Sequence, residues 1–127
     1  MAKTQIWKKK NIIKKSNVKH YPVNSISRLI FSENYFRNFK KVKKNHKVLD
    51  IGTYYLNNLL PFKDRGCKLF GVETTTDAVK ISKSIAKKIK INCKIKLGTN
   101  RSLNFKNNYF DFVMSINTIH YEESKEQ

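Results

Sequence analysis

Apolar positions follow two different patterns along this chain. Up to Lys47 they come in loose groups among lysines and asparagines: Trp7, Ile12, Ile13 and Val18, then Ile26, Leu29, Ile30 and Phe31 after Tyr21-Pro22, then Tyr35, Phe36 and Phe39. The steps of three and four in the last two groups predict short helical stretches, the first capped by Asn24 or Ser25, the second packing on a sheet. From Val48 onward, short apolar runs alternate with longer periodic segments. Lys47–Ile51 reads as a first strand. A helix-like segment follows over Thr53–Asp64, shortened or kinked by Pro61 and closed by Arg65-Gly66. Lys68–Glu73 is a second strand, and Thr75, Thr76 or Asp77 starts an amphipathic helix with Ala78, Ile81, Ile85 and Ile89 in one stripe. Lys94–Leu97 is a third strand and Tyr109–Ile116 a fourth, whose near-continuous apolar run is that of a buried parallel strand.

Strand, helix, strand, helix, strand, loop, strand is the first part of a doubly wound α/β domain. Right-handed crossovers place its strands in the order 3-2-1-4, with the fourth at an edge. An apolar edge invites pairing, so the expectation is a truncated sheet whose further strands are missing or supplied elsewhere. The organisation expected is a basic N-terminal arm with cover helices over residues 1–45, and a partial α/β domain over 46–127.

Charge changes this picture in one respect. The formal net charge is +18, and residues 1–47 hold 14 Lys and Arg against Glu33 alone. A basic arm of that kind suits a polyanion such as nucleic acid. Lys, Asn and Ile, however, account for 50 of the 127 residues, the bias of an AT-rich coding sequence, while Arg occurs four times. Compositional bias is therefore the favoured account of the lysines, and nucleic-acid binding the rival. No stretch is apolar enough to span a membrane, and the basic N-terminus lacks the apolar run of a secretory signal. Cys67 and Cys93 stand alone, without metal-ligand spacing, as reduced thiols of a cytoplasmic protein.

In a doubly wound sheet, ligands bind beyond the carboxyl ends of the strands where the strand order reverses. The groups delivered there are Asp50 to Tyr54, Glu73 to Thr75, Gly98 to Arg101, and Ser115 to His120. Gly52 permits a tight turn close to a ligand. Glu73, ending strand two, has the position of an acid that accepts both hydroxyl protons of a ribose. No phosphate-cradling run of glycines and no P-loop lysine is present.

With these residues in place, the chain resembles the class I S-adenosylmethionine (SAM)-dependent methyltransferases over about residues 46–123. Val48-Leu49-Asp50-Ile51-Gly52 is similar to the family's first motif and Gly71-Val72-Glu73 to its second. Leu97 to Phe105 resembles the segment after strand three, and Asn107 to Val113 the entry to strand four. The resemblance implies a Rossmann-like SAM-methyltransferase fold and SAM as cofactor, with transfer of a methyl group to an unidentified acceptor. It further implies that Glu73 holds the ribose, Asp50 orients the methionine end and Gly52 forms the turn. Thr53 and Thr74 belong to the same binding set, Thr99 and Asn100 border the adenine, and Ser115 with Asn117 faces the methyl group. Tyr54 and Leu56 stand where the family's second and third glycines are usual, Thr99 where an acid is common, and Asn104 where proline is. Those two glycine losses define the rival reading of a non-catalytic fragment with the same fold. His120, Tyr121 and Glu122 offer acid–base groups, but methyl transfer from a sulfonium needs alignment more than a base.

Overall fold

The structure is a computed structural model that describes residues 41–116. The expected helices before Lys41, Trp7, the basic arm, and Asn117, His120, Tyr121 and Glu122 lie outside the described residues. Four strands, β1 (Lys47–Ile51), β2 (Lys68–Glu73), β3 (Cys93–Leu97) and β4 (Phe112–Ser115), form one parallel sheet in the order β3-β2-β1-β4. This is the order that right-handed crossovers require. β1 and β2 have the bounds their apolar runs predict, and β3 begins one residue earlier. β4 is shorter than the run from Tyr109 to Ile116, because Tyr109 and Phe110 leave the strand to pack over the sheet face carrying Leu49 and Phe70.

The segment after β1 departs most from expectation. Residues 53–56 form a turn, Asn57–Leu59 a single 3-10 turn, and only Leu60–Asp64 an α-helix, α1. Pro61 lies in the first turn of α1, where its missing N–H has no partner to lose, so it starts the helix instead of kinking it. Gly66 ends it as expected. At φ +73° it donates to the Lys63 carbonyl (2.9 Å) while Cys67 N–H donates to that of Phe62 (3.1 Å), the paired bonds of a Schellman stop.

Helix α2 (Thr76–Lys88) is capped by Thr75, whose hydroxyl accepts from the Ala78 N–H at 3.2 Å. Asp77 in its first turn and Lys87 and Lys88 in its last complement the helix dipole. Its buried line is Ala78, Ser82, Ile85 and Ala86, rotated from the predicted stripe so that Ile81 and Ile89 flank the core. The same Schellman bonds close it, from Ile91 to Ala86 (2.9 Å) and from Lys90 to Lys87 (3.3 Å), but here Lys90 holds the left-handed position at φ +57°.

Alternation along the strands gives the sheet two unlike faces. Val48, Leu69, Ile95 and Met114 pack beneath both helices with Leu59, Phe62 and Ile85. On the opposite face Leu49, Ile51, Phe70 and Val72 are covered by Leu103, Phe105, Tyr109 and Phe110 from the loop between β3 and β4. At the amino ends β1 and β4 are clamped reciprocally: Lys47 N–H donates to the Asp111 carboxylate (2.8 Å) and Asp111 N–H to the Lys47 carbonyl (2.9 Å). Both cysteines are free and half-buried, and burial holds both thiols protonated, Cys93 up to about 12. No helix among the described residues is long and apolar enough to cross a membrane.

The left-handed Lys90 gives a stability test. Lys90→Gly, which removes the Cβ that disfavours this conformation, should raise the unfolding free energy by about 1 kcal/mol in urea titration.

Candidate functional site

The carboxyl ends of β1 and β2 bring two acids together. Asp50 is the fourth residue of β1 and Glu73 the last of β2, and each is only 3% exposed. Between them runs the turn from Gly52 to Leu56. Gly52 enters it at φ +77°, with its N–H on the Val72 carbonyl at 2.8 Å. That conformation is the one the sequence assigns to a glycine here. Tyr54 N–H then donates to the Glu73 carboxylate at 2.5 Å, so the acid closes the turn as well as facing the site. From the other side the Ser82 hydroxyl of α2 donates to the Tyr54 carbonyl at 2.9 Å, fastening the helix to the same residue.

The positions lacking the usual glycines resolve differently from one another. Leu56 adopts the left-handed conformation, φ +64° and ψ +12°, with its side chain wholly buried in the core beneath the helices. A leucine pays about 1 kcal/mol or more for that backbone, but complete burial contributes about 2 kcal/mol. The glycine-like turn is therefore kept by packing. Tyr54 is also buried, its ring edge-on to Tyr55 at 4.4 Å between centroids. Burial, with Tyr55 and Glu73 adding to it, pushes its phenol up to about 12. A further tight fit lies at Gly71, register partner of Asp50, where a Cβ would stand 2.5 Å from the Thr53 methyl carbon. Thr53 occupies the volume that the glycine leaves.

Burial dominates the acidity of both carboxyls. Asp50 is raised to about 7 by loss of water, with the Thr53 side chain pulling it down and Glu73 pushing it up. Glu73 is also raised to about 7 by burial, offset in part by the N–H groups of Tyr54 and Thr74. No cation figures among the causes of either shift.

The remaining predicted residues line the neighbouring strand ends. Thr74 is exposed and serves through its backbone N–H. Gly98 N–H donates to the Glu73 carbonyl at 2.9 Å, tying the end of β3 to that of β2. The Thr99 hydroxyl accepts from the N–H groups of Arg101 (3.2 Å) and Ser102 (3.0 Å), the turn-holding work an acid would do at this position. Ser115, ending β4, donates its hydroxyl to the Asn100 side-chain oxygen at 3.1 Å, joining the far rim of the site. Two residues escaped the sequence reading. Ser82 interrupts the apolar line of α2 and is wholly buried, a pattern that marks a small polar group with a buried partner. Asp111, an acid among aromatics at a strand entry, is the clamp on Lys47. Among the described residues no group of His, Cys, Asp and Glu could hold a metal ion.

A family model described as a methyltransferase domain matches residues 48–127. Among solved structures the chain is similar to the YcgJ protein from Bacillus subtilis, at 24% identity and a TM-score of 0.64, covering 79% of this chain and 40% of that one. It is similar to a SAM-dependent methyltransferase from Aquifex aeolicus, at 19% identity and a TM-score of 0.54, covering 72% and 50%. It is also similar to the PH0226 protein from Pyrococcus horikoshii OT3, at 28% identity and a TM-score of 0.50, covering 55% and 33%. The chain thus spans between a third and a half of the length of these structures. No curated protein matches it.

Two outcomes follow from the site's packing and charge. Leu56→Gly relieves the backbone but empties a core position, so it should lose about 2 kcal/mol of stability net, measured by urea unfolding. Glu73, with a folded pKa of about 7 against an ordinary 4.5, binds its proton more tightly when folded. Its contribution is therefore fully present below about pH 4.5 and falls as pH rises toward 7. Glu73→Gln keeps an acceptor for Tyr54 N–H without the charge, so its stability relative to wild type should rise between pH 5 and pH 8, read as the difference in thermal midpoints. A pH-independent difference would contradict the buried-charge account.

Proposed function

The chain belongs to the methyltransferase domain family, and from that premise we propose that it binds SAM at the carboxyl ends of β1 and β2 and directs methyl transfer to an acceptor brought to the Ser115 end. The observation that carries this reading is the pair of buried carboxyls, Asp50 and Glu73, on either side of the Gly52 turn. Two acids buried without a cationic neighbour among the causes of their shifts are costly when ionised. A ligand that brings hydroxyl donors and positive charge offsets that cost, and SAM carries both. The residues present fit such a ligand.

In this reading Glu73 accepts from the ribose hydroxyls with the lone pairs not used by Tyr54 N–H. Asp50 orients the amino end of the methionine moiety. Gly52 lets the backbone approach, and Leu56 preserves the turn in the absence of the usual glycine. Thr53 braces the turn against Gly71. Thr99 shapes the loop beside the adenine, and Asn100 and Ser115 border the opening where an acceptor arrives. Bound there, the cofactor supplies an electrophilic methyl group on a sulfonium sulfur. The protein's part is alignment: the turn held by Glu73 and Ser82 fixes the direction of approach.

Tyr54 favours a second reading, a fold retained without turnover, because a buried aromatic residue stands at the second-glycine position. The two are separated by isothermal titration with SAM and with its demethylated product. The first reading expects saturable binding by the wild-type chain, weakened roughly 10- to 100-fold by Glu73→Ala, the cost of losing hydrogen bonds to a charged group. Absence of binding at millimolar SAM would overturn it. Binding that appears only in Tyr54→Gly, checked for folding by circular dichroism, would establish the second.

A further inference from the structure

The two faces of the sheet differ in charge as well as in covering. On the helix side the strands contribute both buried acids of the site, Asp50 and Glu73, by alternation with Val48 and Leu69. On the opposite side they contribute Lys47, Lys68, Lys94 and Lys96 and no acid at all. Lys47 and Lys68 are register partners, as are Phe70 and Lys94, and Val72 and Lys96, so the four form one continuous basic field. The loop that covers this face adds Phe105, Tyr109 and Phe110, all half-buried. Phe105 and Tyr109 lie nearly parallel, 14° between ring planes at 6.4 Å. Ammonium groups sit over these rings: Lys47 is 4.3 Å from the Tyr109 centroid and Lys96 is 4.9 Å from that of Phe105, while Lys94 is 5.8 Å from that of Phe70. Asp111, at the entry to β4, accepts through its carboxylate from the Lys47 backbone N–H.

Lysines interleaved with partly exposed aromatic rings are the two elements of a surface for single-stranded nucleic acid. Ammonium groups follow the phosphates as mobile point charges, and rings offer stacking platforms to bases of any sequence. Composition alone explains many lysines, but it does not explain four on one face with every strand acid on the other. We infer that the sheet face opposite α1 and α2 binds single-stranded nucleic acid without sequence preference, through Lys47, Lys68, Lys94 and Lys96 with Phe105 and Tyr109. This surface is separate from the strand ends proposed to hold SAM, and it stands or falls independently of them.

The test measures binding of the full chain to a fluorescent single-stranded RNA of about 12 nucleotides, by anisotropy, in about 0.1 M salt without SAM. Lys94→Gln with Lys96→Gln should weaken binding about tenfold and flatten the salt slope by about 1.4, the value for two lost phosphate contacts on a single strand. The control pair Lys83→Gln with Lys87→Gln, on the exposed side of α2 and equal in charge, should change affinity less than about twofold. Tyr109→Leu should weaken the single strand more than a duplex of the same length. Equal loss from the two lysine pairs would overturn the assignment in favour of a diffuse positive field. So would no loss from the sheet-face pair, or binding to anionic phosphatidylserine vesicles that is equally sensitive to it.

Discussion

The carboxyl ends of this sheet turn on the backbone of one residue, Tyr54. The N–H of Tyr54 is held by the Glu73 carboxylate and its carbonyl by the Ser82 hydroxyl, so one residue links the turn after β1, the end of β2 and the body of α2. All three partners are buried, where a hydrogen bond is strong and an unmade one is costly. The turn is thus fixed by the same carboxylate that is proposed to receive the cofactor. The proposed binding of a ribose would draw on the same acid that holds the turn, and its raised pKa reflects its burial.

Much of the fold was legible because the central strands β1 and β2, buried on both faces, are largely apolar, whereas β4, read from its apolar run as a buried strand, leaves Val113 57% exposed. Lys47–Ile51 and Lys68–Glu73 have the bounds their residues predict, and crossover handedness then fixes the order of the strands. The acids at the strand ends were legible for the same reason, since a strand's last residue is set once its bounds are known. The turn itself was not. Periodicity over Thr53–Asp64 suggested one helix, yet the chain makes a turn, a 3-10 turn and a five-residue helix. Leu56 and Leu59 are core residues in either case, so their spacing could not tell these apart.

The left-handed leucine is the clearest instance of tertiary structure overriding local preference. Nothing in the local sequence requires φ +64° at Leu56; the core that receives its side chain does. Ser82 makes the complementary point. A serine in an apolar stripe looks like a weak point of α2, and the partner that gives it meaning lies 28 residues earlier at Tyr54. Contacts of that range cannot be seen in a window of sequence.

Gly71 and Thr53 carry a consequence of another kind. Because the threonine methyl carbon lies where a Cβ of residue 71 would be, 2.5 Å away, the two positions share one volume. A larger residue in the middle of β2 is therefore compatible with this fold only alongside a smaller one in the turn. A substitution harmless in one homologue would be disruptive in another, according to which member of the pair holds the space. The side chains that the turn can carry are in that sense decided partly in the strand beside it.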